Sequence, residues 1–113
     1  MIKGLLDTNI IILHLAGKES FPFSLFFPVV STLTVFELLQ YPGMSEEEEN
    51  AIRAILSICE HIPLNTIISE RAALLRRKHH IGITDVLIAA TALELKIPFF
   101  TKRAGYFFAI IGG

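Results

Sequence analysis

Three carboxylates stand where short apolar runs meet polar turns. Asp7 ends the run Ile2 to Leu6, Glu37 lies in the segment after Val29-Val30, and Asp85 follows Ile81-Gly82-Ile83 and opens a second apolar run. Asp7 and Asp85 are the chain's only aspartates. Carboxylates from three separate segments that meet in one crevice would repel one another and bind protons more tightly. A hard divalent cation such as Mg2+ or Mn2+ reverses that, prefers carboxylate oxygen and water, and activates water for in-line attack on phosphorus. The single cysteine, Cys59, excludes an intramolecular disulfide and a multi-cysteine zinc site.

Each carboxylate also has a purely local reading. Asp7 could cap the helix that follows it. Glu37 comes three residues after Thr34, the spacing of a capping box. Asp85 falls in a first helical turn, where the helix dipole favours negative charge. These readings predict side chains tied to nearby backbone amides. The crevice reading predicts that Asp7, Glu37 and Asp85 gather in one negatively charged pocket open to solvent, with room for a cation.

The elements that must position them follow from periodicity. Residues 2–6 read as a buried strand and residues 9–15 as a helix headed by the cap-type residues Asp7, Thr8 and Asn9. Pro22 and Pro28 bar a regular helix between Phe21 and Pro28, and Val29-Val30 resumes a strand. Residues 31–40 read as a helix stopped by Tyr41-Pro42-Gly43. Ser45 and Glu48 form a capping box for a helix with Ile52, Ile55, Leu56 and Cys59 on one face. A brief strand at 61–64 precedes a helix capped by Asn65 or Thr66 and running to about His80. Thr84 is expected to cap a further helix through Leu95, residues 97–101 to form a second clear buried strand, and residues 106–111 a last edge strand. Strands alternating with helices argue a parallel sheet covered on both faces, with ligands bound at the strands' carboxyl ends. Asp7 and Thr101 sit at two such ends.

The chain has 113 residues, 52% of them apolar and 19% charged, which suits one domain over 1–113 and argues against disorder. The longest uncharged run, residues 20–36, holds two prolines and is too short to span a bilayer. No signal-peptide cleavage pattern follows the N-terminal apolar stretch, so the chain reads as soluble and cytoplasmic, with no membrane partner. Net charge is only −1, but residues 1–60 hold three basic and eight acidic side chains and residues 61–113 seven basic and three acidic. A broad basic coat for nucleic acid is absent, which leaves room for a local patch.

Leu6-Asp7-Thr8-Asn9, Ser31-Thr32-Leu33-Thr34-Val35-Phe36-Glu37-Leu38-Leu39, Thr84-Asp85-Val86-Leu87-Ile88-Ala89-Ala90-Thr91-Ala92 and Phe99-Phe100-Thr101-Lys102, in this order, resemble the PIN domain family, particularly the small toxin ribonucleases of the VapC type. The third stretch is the most specific. The resemblance covers essentially the whole chain and implies a PIN-like three-layer α/β/α fold with a short parallel sheet. It implies a Mg2+- or Mn2+-dependent endoribonuclease, the toxin of a toxin–antitoxin pair. Asp7, Glu37 and Asp85 match the family's acidic residues, Asp7 and Asp85 as metal ligands, with Thr8 and Thr101 in support. It implies an RNA substrate, a cognate antitoxin seated in an apolar groove near the site, and a homodimer. Family members usually carry a further acidic or amide residue shortly after the position of Thr101. Here Arg103 and Tyr106 occupy those places. Arg103 could clamp a substrate phosphate, or the lost ligand could weaken metal binding and activity. The alternative function is a catalytically weakened PIN-like module that binds RNA or protein. A phosphorylated receiver domain fits poorly, because Asp7 has no acidic neighbour and Asp85 opens a helix.

Four further features carry expectations. Arg71, Arg76, Arg77, Lys78, His79 and His80 form a basic stretch, read either as a solvated helix end or as an RNA contact. The four phenylalanines from Phe21 to Phe27 either fill the core or make a partner surface. The helix from Val86 to Leu95, apolar on nearly all sides, must be buried or serve a dimer. His14, His61 and Cys59 read as packing residues.

Overall fold

The computed structural model describes residues 1–18 and 20–101. The expected strand at 106–111 lies outside the described residues, as do Arg103 and Tyr106. Four strands form one sheet: β1 (Ile2–Leu6), β2 (Phe26–Ser31), β3 (Glu60–Ile62) and β4 (Phe99–Phe100). Their order is β3-β2-β1-β4, and every neighbouring pair is parallel. Five helices connect them: α1 (Thr8–Leu15), α2 (Thr32–Leu39), α3 (Glu46–Ser57), α4 (Thr66–Lys78) and α5 (Ile83–Leu95).

Consecutive strand residues point to opposite faces, and the three layers follow from this. Leu6, Val30 and Phe100 join Ile10, Ile11, Leu38, Ile52, Ile55 and Leu56 under α1, α2 and α3. Leu5, Val29 and Phe99 join Ile88, Ala89 and Ala92 of α5 on the other face. Each large aliphatic side chain so buried contributes about 1.5–3 kcal/mol. A third cluster, Ile68, Ala72, Val86 and Ala90, locks α4 against α5. The apolar surround of α5 is thus consumed within one chain, by the sheet on one side and α4 on the other.

The structure corrects several boundaries. β2 begins at Phe26 and runs through Pro28. A proline is tolerated there because β3 pairs with β2 only from Val29 onward, so Pro28 has a strand neighbour on one side alone. The second clear strand is only Phe99–Phe100, α4 stops at Lys78, and β3 is Glu60–Ile62. Thr84 does not cap α5: the N-cap is Gly82, and Thr84 lies inside the first turn. The Ser45–Glu48 capping box forms in both directions, and Asn65 caps α4 through the Ile68 amide.

Most of the phenylalanine segment belongs to the core. Phe21 is buried, packs edge-on against Phe23 and Phe100, and lies 6.2 Å from Phe26. Phe27 is exposed, 6.0 Å beneath the Lys3 ammonium. His14 accepts from the Phe21 amide and sits edge-on to Phe23, and His61 hydrogen-bonds the Leu56 carbonyl. Among the described residues no helix is long and apolar enough to cross a membrane.

Candidate active site

The chain goes outward from β1 to β2 and β3, then returns to place β4 on the other side of β1. The order therefore reverses between β1 and β4, and an open parallel sheet has its binding crevice beyond the carboxyl ends at such a point. Asp7 directly follows β1 and Thr101 directly follows β4.

Asp7 occupies the N-cap position of α1, in extended backbone, yet its side chain makes no capping hydrogen bond. Its amide donates to the Phe100 carbonyl at 2.9 Å, which extends the β1–β4 ladder. The residue is 2% exposed, and its carboxylate accepts from Thr101 Oγ1 at 2.8 Å through Oδ2. The local cap reading of Asp7 fails, since the side chain is directed to a distant strand end. A carboxylate withdrawn this far from water needs compensation beyond helix capping.

Glu37 tells the same story. The N-cap of α2 is Ser31, whose hydroxyl accepts from the Leu33 amide at 3.1 Å, so Thr34 and Glu37 are not a capping box. Glu37 Oε1 accepts instead from Thr8 Oγ1 at 2.6 Å. Thr8 Oγ1 also lies 3.0 Å from Thr34 Oγ1. A threonine hydroxyl has one proton. With Thr8's proton given to Glu37, Thr34 is the donor in the second bond, and the three side chains form a directed relay from Thr34 to Thr8 to Glu37. Thr34 is wholly buried, away from the capping position that its spacing to Glu37 also allows. Its position one helical turn before Glu37, on the same face, was the available signal.

Asp85 is the third residue of α5, where the dipole favours its charge. Gly82 at the N-cap lies beside it: a Cβ there would meet Asp85 Oδ2 at 3.4 Å. α5 feeds β4 through the short connection 96–98, so its first turn lies at the carboxyl edge of the parallel sheet, at the end where Asp7 and Thr101 sit.

The structure thus brings Thr101 to Asp7 and Thr8 to Glu37, with Asp7 and Thr8 adjacent in the chain, and sets Asp85 at the same edge on a separate helix. Among the described residues no group of three or more His, Cys, Asp or Glu side chains stands close enough to hold a metal ion. The donors at this edge are carboxylate and hydroxyl oxygens, the set a hard divalent ion takes, and Mg2+ is commonly held by one or two carboxylates with water completing its shell. The proposed role of Arg103 lies outside the described residues.

A concavity of about 450 Å3 opens between α1, α2 and α3. Ile12, Leu15, Leu38, Tyr41, Met44 and Ile52 line it. The Phe21 to Phe27 segment is not part of that lining.

The PIN domain sequence profile matches residues 4–103. No significant match is found among curated proteins. A chain of a toxin–antitoxin complex from Klebsiella pneumoniae is similar over 97% of this chain and 94% of its own, at 25% identity and a TM-score of 0.75. A chain of VapBC2 from Rickettsia felis, bound to a DNA fragment from the VapBC2 promoter, matches over 92% and 89% at 19% identity and a TM-score of 0.77. A chain of DNA-bound VapBC from Salmonella typhimurium matches over 81% and 80% at 24% identity and a TM-score of 0.66. With a sheet that reverses between β1 and β4, an aspartate at that reversal, and a profile match over nearly its full length, the chain belongs to the PIN domain family, with the VapC-type fold.

Proposed function

We propose that this protein is a metal-dependent endoribonuclease, the toxin of a toxin–antitoxin pair. The observation that carries the reading is the Asp7 carboxylate, buried at the sheet's reversal point and bonded to Thr101 rather than to its own helix. Asp7 and Asp85 would hold Mg2+ or Mn2+ through carboxylate oxygens. An ion held there would supply positive charge at the scissile phosphate and make an attacking water more acidic. Thr101 fixes one oxygen of Asp7. Thr8 fixes Oε1 of Glu37 and leaves Oε2 to receive a proton from the water.

An antitoxin is the second part of the proposal. Its support is the similarity, at 25% identity, to a chain of a toxin–antitoxin complex, together with the apolar groove between α1, α2 and α3. A homodimer belongs to the same reading, and light scattering that finds a strict monomer at micromolar concentration removes it. Cleavage of a structured RNA with added Mn2+ tests the whole. We expect cleavage by the wild type, abolished by EDTA, by Asp7→Asn and by Asp85→Asn. Uncleaved RNA at every metal concentration would favour the weakened binding module, to which Arg103 in place of a family ligand points.

A further inference from the structure

We infer that the carboxyl end of α4 is a grip for the sugar–phosphate backbone of single-stranded RNA, leading the strand toward the crevice at Asp85. This inference rests on the nuclease reading above and deepens it by naming where the substrate is held.

Arg76, Arg77 and Lys78 are three consecutive cations that close α4, followed by His79 and His80, and all five are exposed. Three cations elsewhere are neutralised: Lys3 pairs with Glu60, Arg53 with Glu49, and Arg71 with Glu94; Lys18 and Lys96 stand singly, not in a run. Among the described residues no carboxylate pairs with Arg76, Arg77 or Lys78. The dipole of α4 favours cations in its last turn but needs only one or two at its axis. Three in succession, spaced about 100° apart around a helix of 3.6 residues per turn, spread charge over a wide arc. That arrangement suits a string of phosphates better than a pocket for one anion.

The fold places this charge beside the candidate site. α4 and α5 pack through Ile68, Ala72, Val86 and Ala90, and Arg71 reaches Glu94 at 3.1 Å, so the two helices run antiparallel. The turn 79–82 then carries the cationic end directly into the first turn of α5, which holds Asp85. Axes of packed helices lie about 8–10 Å apart, so the cations reach phosphates within a few nucleotides of one held at Asp85. Asp7 is recessed, and a flexible single strand can bend a phosphate toward it where a stiff duplex cannot. The acidic remainder of the chain repels a nucleic acid elsewhere, which confines the attraction to this end.

The test is fluorescence anisotropy of a labelled mixed-sequence single-stranded RNA, titrated with protein in EDTA so that binding is read without cleavage. Each neutralised phosphate of a single strand contributes about −0.7 to the slope of log K against log salt, so three contacts predict a slope near −2 and a loss of roughly 20-fold between 50 and 200 mM salt. Arg76→Gln, Arg77→Gln and Lys78→Gln together should flatten that slope and weaken binding about tenfold at 50 mM salt. Lys3→Gln, Lys18→Gln and Arg53→Gln remove the same charge elsewhere and should cost much less. The single variants Arg76→Gln and Lys78→Gln, checked for an unchanged melting temperature, should each show part of the effect. An unchanged slope in the folded triple variant overturns the proposal, as does equal loss in the control variant or tighter binding of a duplex of the same sequence. Charge-dependent binding without cleavage in Mn2+ would leave the grip standing and remove the nuclease reading instead.

Discussion

Thr101 and Asp7 are 94 positions apart in sequence and 2.8 Å apart in space, hydroxyl to carboxylate, where the strand order of the sheet reverses. Both side chains are buried. A hydrogen bond to a charged group contributes about 1.5–3 kcal/mol, and removing its donor leaves a buried carboxylate short of a partner. Thr101→Val keeps the shape and deletes the donor. Chemical denaturation should show a loss of about 1.5–3 kcal/mol, and Mn2+ affinity by calorimetry should fall. Thr101→Ser should recover most of both. Equal stability of the valine and serine variants would mean that the bond contributes nothing.

The relay from Thr34 through Thr8 makes a second prediction. Thr34→Val removes the donor to Thr8 and leaves Thr8 to satisfy its own acceptor in a dry interior. Thr8 is then free to rotate, and Glu37 loses its fixed orientation. Misplacement of this kind costs roughly tenfold in rate or more, so RNA cleavage should fall by about that factor while Mn2+ binding at Asp7 changes little. Thr34→Ser should restore cleavage. A valine variant as active as the wild type would show that Glu37 needs no such support.

The elements were legible because apolar periodicity and caps are local signals. Residues 2–6, the Ser45–Glu48 box and the Ile52, Ile55, Leu56 face are fixed by neighbours a few residues away. The strand through Pro28 was not legible, because a proline is excluded from a strand only where a neighbouring strand lies on the side its missing N–H would face. That depends on where β3 begins. Gly82 rather than Thr84 caps α5, and a glycine cap makes no side-chain bond that could mark it in the sequence. At the candidate site, the residue types and their order were readable, but the choice between local capping and distant pairing was not. Thr34 and Glu37 have capping-box spacing, and only the packing of α2 against α1 turns both side chains away from the backbone of their own helix.

Cys59 gives a pH prediction unrelated to the site. Its thiol is half-buried, donates to the Ile55 carbonyl at 3.3 Å, and desolvation pushes it up from an ordinary 9.0 to about 11. Between these values the unfolded thiol loses its proton while the folded one keeps it. The folded state then binds more protons, so stability falls as pH rises from about 9 to about 11. Cys59→Ala should remove that part of the alkaline decline in melting temperature. Native protein at pH 8 should also react with iodoacetamide far more slowly than urea-unfolded protein, because the thiolate is the nucleophile. Equal alkylation rates would place the sulfur in water.

Gly4 connects the packing of the sheet to the candidate site. It lies in β1 beneath the Phe100 ring, and a Cβ at this position would run into Phe100 Cε2. Phe100 is held on its other sides by Phe21 and Phe26, at ring distances of 5.5 and 4.7 Å, so it cannot move away freely. Gly4→Ala is therefore expected to destabilise the protein by about 1–3 kcal/mol, the usual cost of overpacking a core. The displacement passes to the next residue, Thr101, and through it to Asp7. Mn2+ affinity should fall in Gly4→Ala and recover in Gly4→Ala with Phe100→Leu, which vacates the ring's edge. If stability drops but Mn2+ affinity in the single variant matches the wild type, the ring yields toward the core and the Thr101–Asp7 bond is insulated from it.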